Sequence, residues 1–355
     1  ETMPGIRPIV SGRRPRALLG PLFRRFAYTR LAEHVLLRPG VRWGMRRFRR
    51  TQQTPPWSYS LFRMLYCVTN GGWNTEAVRA LGATPLALPC GHGLIRDRAH
   101  HDEVLATLRR DGYCVVPNAF SPAACAALTA LASNTPARLV PAPAEPPARD
   151  YFERTHPRAP RYELDEVDLI ASPDVQRLMA DHSLLALAQD YLGAAPINDL
   201  VTMWWTARAG ATPSSEAAQL FHFDMDRVSF LKVFFYLTDV TPQTGPHVYV
   251  RGSHRNKPKQ LLRDRRFSDA EIHAAYGSDV HEITGPRGTV IIADTSGMHK
   301  GKVVETSERL LLQLEYTSSL FGQRYETTPW PSTCVPELHA SRRDYPSVYA
   351  RYGGR

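Results

Sequence analysis

The sequence predicts a mainly β protein with flanking helices, a double-stranded β-helix (jelly roll), preceded by a basic helical N-terminal extension. Three observations predict it. Residues 228–322 form a run of short apolar segments broken by Gly, Pro, Asp and Thr. His222-Phe223-Asp224 stands just before that run, with His299 and Arg309 inside it. Thirteen arginines crowd the first fifty residues.

The run reads as follows. VSFLKVFFYLTD (228–239) predicts a buried strand and a turn. TPQTGPHVYVRGSH (241–254) predicts a Gly-Pro turn, a short strand and a second turn. GPRGTVIIADTSGMHKG (285–301) predicts a turn, the strand VIIAD and a loop that delivers His299. ERLLLQLEYTSSLFG (308–322) predicts a strand that starts at Arg309, with apolar residues at 310, 311, 312 and 314. Strands bounded by turn residues in this way form a hairpin series, which suits two packed sheets.

Alternation along a strand puts residues i and i+2 on one face. His222 and Asp224 can then aim an imidazole and a carboxylate at one ion. A carboxylate among Phe221, Phe223 and Met225 is costly to bury unpaired, and a metal removes that cost. A second histidine completes a two-His, one-carboxylate triad that leaves positions open on Fe(II). His299, His254, His247 and His281 compete for that place. Arg309, ten residues after His299, offers a fork for a carboxylate beside the metal, as 2-oxoglutarate would need. Thr289 can add a hydroxyl to the same carboxylate. Arg227 and Lys232 are candidates for holding an anionic substrate. Asp226 continues the i, i+2 series and is a candidate partner of the ligands or of the substrate.

At these residues the chain resembles the phytanoyl-CoA dioxygenase-like family of Fe(II)/2-oxoglutarate-dependent oxygenases. The resemblance covers roughly residues 99–325. LRRDGYCVVPNAFSPAACAALTALA (108–132) is similar to the family's first strand and helix, and SPDVQRLMADHSLLALAQDYLG (172–193) to its helical approach to the core. The resemblance implies His222, Asp224 and His299 as metal ligands and Arg309 as the 2-oxoglutarate clamp. It implies that His254, in RGSH, belongs to a structural turn, and it places Phe235 where some members carry an aromatic residue near the cosubstrate. It implies O2 as cosubstrate, with release of succinate and CO2. Halogenases of this class carry a small residue where Asp224 stands, so hydroxylation of an unactivated C–H bond is the expected outcome.

Three segments follow: an Arg-rich extension (1–98), the oxygenase jelly roll (99–325) with a Pro/Ala-rich candidate lid at 136–160, and a tail (326–355) expected as an extended strap or partly disordered. Residues 1–50 hold 13 Arg against Glu1 and Glu33, a charge of +11 in a chain of net +10. The other 305 residues therefore carry about −1, and the basicity belongs to the extension. From Leu22 to Leu37 apolar residues recur at helical spacing, predicting an amphipathic helix that ends near Pro39-Gly40. Its readings are docking on an anionic membrane surface, nucleic-acid binding, or a helix packed on the body with solvated arginines. The second is disfavoured, because bulky apolar residues alternate with the arginines. TQQTPPWSYS (51–60) reads as a loop, followed by a helix, a break at Gly71-Gly72 and a helix after Asn74, a segment whose aromatics should wrap the domain or wall the site.

Five cysteines without a C-x-x-C pair read as reduced thiols of a cytoplasmic protein, with Cys114 and Cys125 in the core. No secretory leader is read, and no run reaches the ~20 apolar residues of a membrane span. The expected enzyme is thus a cytoplasmic oxygenase, peripheral on the inner face of a membrane if the leader docks there. Its expected substrate is anionic: a fatty acyl conjugate, a phospholipid or a lipopolysaccharide sugar. The alternatives are a small metabolite or natural-product intermediate, or a non-catalytic metal- or sugar-binding jelly roll.

Overall fold

The computed structural model describes residues 28–142, 148–209 and 213–353. Its strands are β1 (Tyr113–Val116), β2 (Ala137–Val140), β3 (Arg149–Asp150), β4 (Arg161–Glu163), β5 (Ile197–Thr206), β6 (Phe230–Tyr236), β7 (His247–Val250), β8 (Val280–Ile283), β9 (Val290–Ala293), β10 (His299–Gly301) and β11 (Arg309–Thr317). They form a large sheet in the order β1-β9-β6-β11-β5-β4-β2-β3 and a small one in the order β10-β7-β8. All named pairs are antiparallel. This is the jelly roll with flanking helices that the hairpin series predicts.

Both faces of the large sheet are covered, so its central strands read as nearly unbroken apolar runs. The outer face carries Leu231, Val233, Phe235, Leu310, Leu312 and Leu314, packed under helices Pro122–Ser133 and His182–Leu192. The inner face carries Trp204, Phe234, Tyr236, Ile291 and Leu311, which meet Tyr249 and Ile283 of the small sheet. Tyr236 donates its hydroxyl to the Ile283 carbonyl at 2.6 Å and ties the sheets together. Two of the candidate residues start strands of these sheets, His299 at β10 in the small one and Arg309 at β11 in the large one.

The leader helix departs from expectation. It does not stop at Pro39-Gly40 but runs through an α turn at Arg30–Ala32, a π turn at Glu33–Leu37 and an α-helix at Arg38–Thr51. In the π turn the Arg38 N–H reaches back to the Glu33 carbonyl, one residue further than in an α-helix. The backbone is thus already out of α register where Pro39, with no N–H to give, follows. Leu37, Val41, Met45 and Phe48 are buried against helix Pro56–Thr69 and Phe321. Residues 22–27 of the predicted helix lie outside the described residues.

Three further expectations need correction. Trp57-Ser58-Tyr59-Ser60 is not loop: Pro55 caps and Pro56 opens helix Pro56–Thr69, since proline suits the first helical turn. The 136–160 segment is not simply a lid, because β2 and β3 within it extend the large sheet; residues 143–147 lie outside the description. The tail is a packed element rather than a loose strap. Helix Pro336–Asp344 and the 3-10 turn Pro346–Tyr349 bury Leu338, Val348 and Tyr349. The expected helix after Asn74 is present as Asn74–Leu81. The aromatic segment reaches the site: Tyr66 stacks on Phe223 at 5.7 Å. Cys125 is buried and Cys114 half-buried, and all five thiols are free.

Candidate metal centre

His222 and Asp224 do not sit in a regular strand, as the alternation argument assumed. His222 forms an isolated antiparallel bridge with His299. Each donates its backbone N–H to the other's carbonyl, at 3.0 and 2.8 Å. Asp224 donates its N–H to Thr295 at 2.8 Å. The backbone itself therefore brings the three side chains together, and the His222 and His299 rings lie 4.3 Å apart.

One ligand atom from each of His222, Asp224 and His299 lies within 4.8 Å of the others. The Nε2 atoms of His222 and His299 stand 3.6 and 3.5 Å from the two Asp224 oxygens. Nδ1 of His222 faces the Leu220 carbonyl, and Nδ1 of His299 the Gly297 carbonyl, both at 2.9 Å. A carbonyl can only accept, so each Nδ1 carries the proton and each Nε2 keeps its lone pair for a metal. Burial pushes His222 down to about 4 and His299 to about 3. Burial alone would raise the Asp224 carboxyl, but Lys232 and the two imidazoles hold it well below the usual carboxylate range. Two neutral imidazoles and an ionised carboxylate are the donor forms that a divalent ion requires.

The remaining predicted residues fall into two groups. Arg309 is buried on the inner face, where it donates to the Gly245 carbonyl and, at 3.3 Å, to the Thr206 hydroxyl. Its Nε has no hydrogen-bond partner among the described residues. Lys232 donates to Asp224 at 2.8 Å, lies 3.4 Å from Asp226 and 3.5 Å from Glu315, and so is committed to these carboxylates rather than to a substrate surface. Asp226 is held beside it.

Three residues are not brought to the centre. Phe235 points to the outer face, where its ring meets Phe120 at 5.2 Å, because an odd step along β6 separates it from Lys232 and Phe234. Thr289 donates its hydroxyl to the Pro286 carbonyl at 2.7 Å and closes the turn before β9. Arg227 forms a buried two-pronged pair with Asp199, at 2.6 and 2.9 Å, and is not available to a substrate.

Sequence reasoning missed Glu315, Phe234 and Arg161 and left His247 as a rejected ligand. The signal for Glu315 was present in ERLLLQLEYT, where Arg309, Gln313 and Glu315 share the parity opposite to the apolar Leu310, Leu312 and Leu314. Glu315 is 3% exposed, one of its oxygens has no partner among the described residues, and burial pushes its carboxyl up to about 8. Arg161 lies 4.0 Å over Trp204 and shares Glu163 with Arg138, each at 3.0 Å. Both Arg161 and Arg309 pair with Thr206 in register.

The family model for phytanoyl-CoA dioxygenase (PhyH) matches residues 108–309. That is more than half of the chain, and the chain belongs to this family. It is therefore an enzyme of the Fe(II)- and 2-oxoglutarate-dependent oxygenase type, with iron and 2-oxoglutarate as cofactors. No curated protein matches it. Among solved structures, it is similar to HygX from Streptomyces hygroscopicus with nickel, 2-oxoglutarate and hygromycin B bound (17% identity, 63% of this chain and 90% of that chain, TM-score 0.45). It is also similar to EctD from S. alaskensis with bound Fe (22%, 67% and 83%, TM-score 0.39). A third is the epimerase SnoN from nogalamycin biosynthesis (17%, 62% and 83%, TM-score 0.42).

Proposed function

We propose that the protein hydroxylates an unactivated C–H bond of a substrate bearing an anionic group, at a metal held by His222, Asp224 and His299. The observation that carries this reading is the convergence of two Nδ1-protonated imidazoles and one ionised carboxylate within 4.8 Å, beside an arginine with an uncommitted donor. Iron with 2-oxoglutarate supplies the oxidising power for C–H cleavage. The chain's own residues do the rest. The Leu220 and Gly297 carbonyls orient the imidazoles, and Lys232 holds the Asp224 carboxylate in place. Arg309 takes the far carboxylate of the cosubstrate. The apolar inner face around Phe234, Ile291 and Leu311 keeps water from the reacting centre.

With Arg227 and Lys232 neutralised by carboxylates, Arg138 and Arg161 replace them as contacts for the anionic group. They carry two charges against the one of Glu163, and Arg161 shares the partner Thr206 with Arg309 in register. Anaerobic mixing of protein, Fe(II) and 2-oxoglutarate should give a visible charge-transfer band. A band that survives in His222→Ala sinks the ligand assignment. Succinate release with candidate substrates separates an enzyme acting on small metabolites from a non-catalytic binding module.

A second observation favours the peripheral position. Among the described residues no helix is long and apolar enough to cross a membrane. The leader helix nevertheless exposes Leu31 (63%), Val35 (60%) and Trp43 (55%), with Trp43 stacked on Trp57 at 4.8 Å. Exposed Arg30, Arg42, Arg46, Arg47 and Arg50 flank them. Apolar bulk flanked by arginine suits an anionic lipid surface, where each Arg contributes on the order of 1 kcal/mol. Co-sedimentation should need anionic vesicles, weaken with salt and fall in an Arg46→Glu/Arg47→Glu/Arg50→Glu variant. Binding to neutral vesicles alone, or to none, removes the support for a lipid-linked substrate.

A further inference from the structure

His247 is 6% exposed, and no hydrogen-bond partner is found for either ring nitrogen among the described residues; its Nε2 is fully enclosed. A buried polar group without a partner is costly, so its place in the fold matters. Its ring stacks on the His299 ring at 5.5 Å and lies 5.0 Å from Phe234. Its backbone N–H is fixed on the Tyr236 hydroxyl at 3.1 Å. In register it pairs with Gly301, and a Cβ built on Gly301 would stand 3.7 Å from an Arg309 nitrogen. Two residues before it, the Gly245 carbonyl accepts from Arg309.

His247 therefore occupies the passage between a metal ligand and the arginine clamp. Resting on the proposed metal and clamp assignments, a five-carbon dicarboxylate that reaches from one to the other runs past this ring. We propose that His247 is a cosubstrate-binding residue that donates a ring N–H to an oxygen of 2-oxoglutarate. An imidazole offers at least one N–H in either charge state, so the contact does not depend on its titration. The Gly301 pairing leaves room for it, since a side chain there would fill the space beside Arg309.

The test separates metal from cosubstrate. Fe(II) affinity and 2-oxoglutarate affinity are measured anaerobically from the visible band in the parent, His247→Leu and His247→Asn. His247→Leu should keep metal affinity and weaken 2-oxoglutarate about tenfold, the loss of one good hydrogen bond. It should also shift the band maximum. His247→Asn, which retains an N–H donor, should recover part of both. Unchanged cosubstrate affinity and band in His247→Leu overturn the proposal. A parent that binds no 2-oxoglutarate overturns the underlying assignment instead. Where neither variant folds, a crystal structure of the parent with Zn(II) and 2-oxoglutarate decides. A ring nitrogen within about 3.2 Å of a cosubstrate oxygen supports the contact, and a ring turned away refutes it.

Discussion

Lys232 sits in a strand whose every residue is buried. Burial alone would depress its ammonium, but Asp224, Glu315 and Asp226 raise it well above the ordinary lysine value. Removing one partner of a buried charged set costs about 3–5 kcal/mol. Lys232→Met should lower the melting temperature of the metal-free protein, and a divalent ion should restore more stability to it than to the parent, because the ion substitutes for the lost cation. Equal stabilisation of both by Mn(II) in thermal scans contradicts this.

The neighbouring Glu315 gives a pH signature of the opposite limb to the histidines. A carboxyl raised from 4.5 to about 8 favours folding when protonated, so its contribution fades as pH rises through that window. Glu315→Gln should flatten the decline in stability between pH 5 and about 8 and be more stable than the parent at the upper end. His222 and His299, lowered from 6.5 to about 4 and about 3, favour folding when neutral. Their contribution is lost as pH falls from 6.5 through those values. Denaturant midpoints across pH test both limbs. Arg309→Ala should weaken 2-oxoglutarate by tenfold or more, since truncating a buried charge-assisted pair costs about 2–5 kcal/mol; titration of the visible band reads this directly.

At the scale of elements, residue type and spacing carried the strands well. β6, β7, β9 and β11 each fall inside a segment that turn residues delimit. The parity of β11 also encoded which polar residues face inward. The resemblance misplaced Phe235, which counting along β6 from Lys232 puts on the opposite face. Proline misled in the leader, where the π turn depends on tertiary packing that periodicity does not report. Gly44 shows that packing: a Cβ there would collide with the Ser58 side chain. Gly44→Val should lift the leader helix off helix Pro56–Thr69. Limited proteolysis should then cut near residues 51–55 in the variant and not in the parent.

At the scale of the whole molecule, charge is divided between places. Residues 1–50 carry +11 and the other 305 about −1. Around Lys232, Asp224 and Asp226 already outnumber the one cation, and Glu315 joins them as a carboxylate above about pH 8. A dication offsets that local excess. A chelator should therefore lower the melting temperature, by the equivalent of about 2.7 kcal/mol from a metal concentration one hundred times the Kd. The pairings within this inner network were not legible beforehand, because Lys232 and Glu315 are far apart in the chain and meet only when β6 and β11 align. The candidate ligands His222 and Asp224 stood out because they form a short local pattern.

The bridge between His222 and His299 carries one more consequence. The two peptide groups that hold the imidazoles are bonded to each other, so the spacing of the rings is set by main chain rather than by side-chain packing. Separating them requires local unzipping of the segment before β6 from β10. The amides of His222 and His299 should therefore exchange with deuterium as a pair, slowly, and at one shared rate in the metal-free protein. A metal ion would then arrive at a seat already built, and its release would leave the bridge closed.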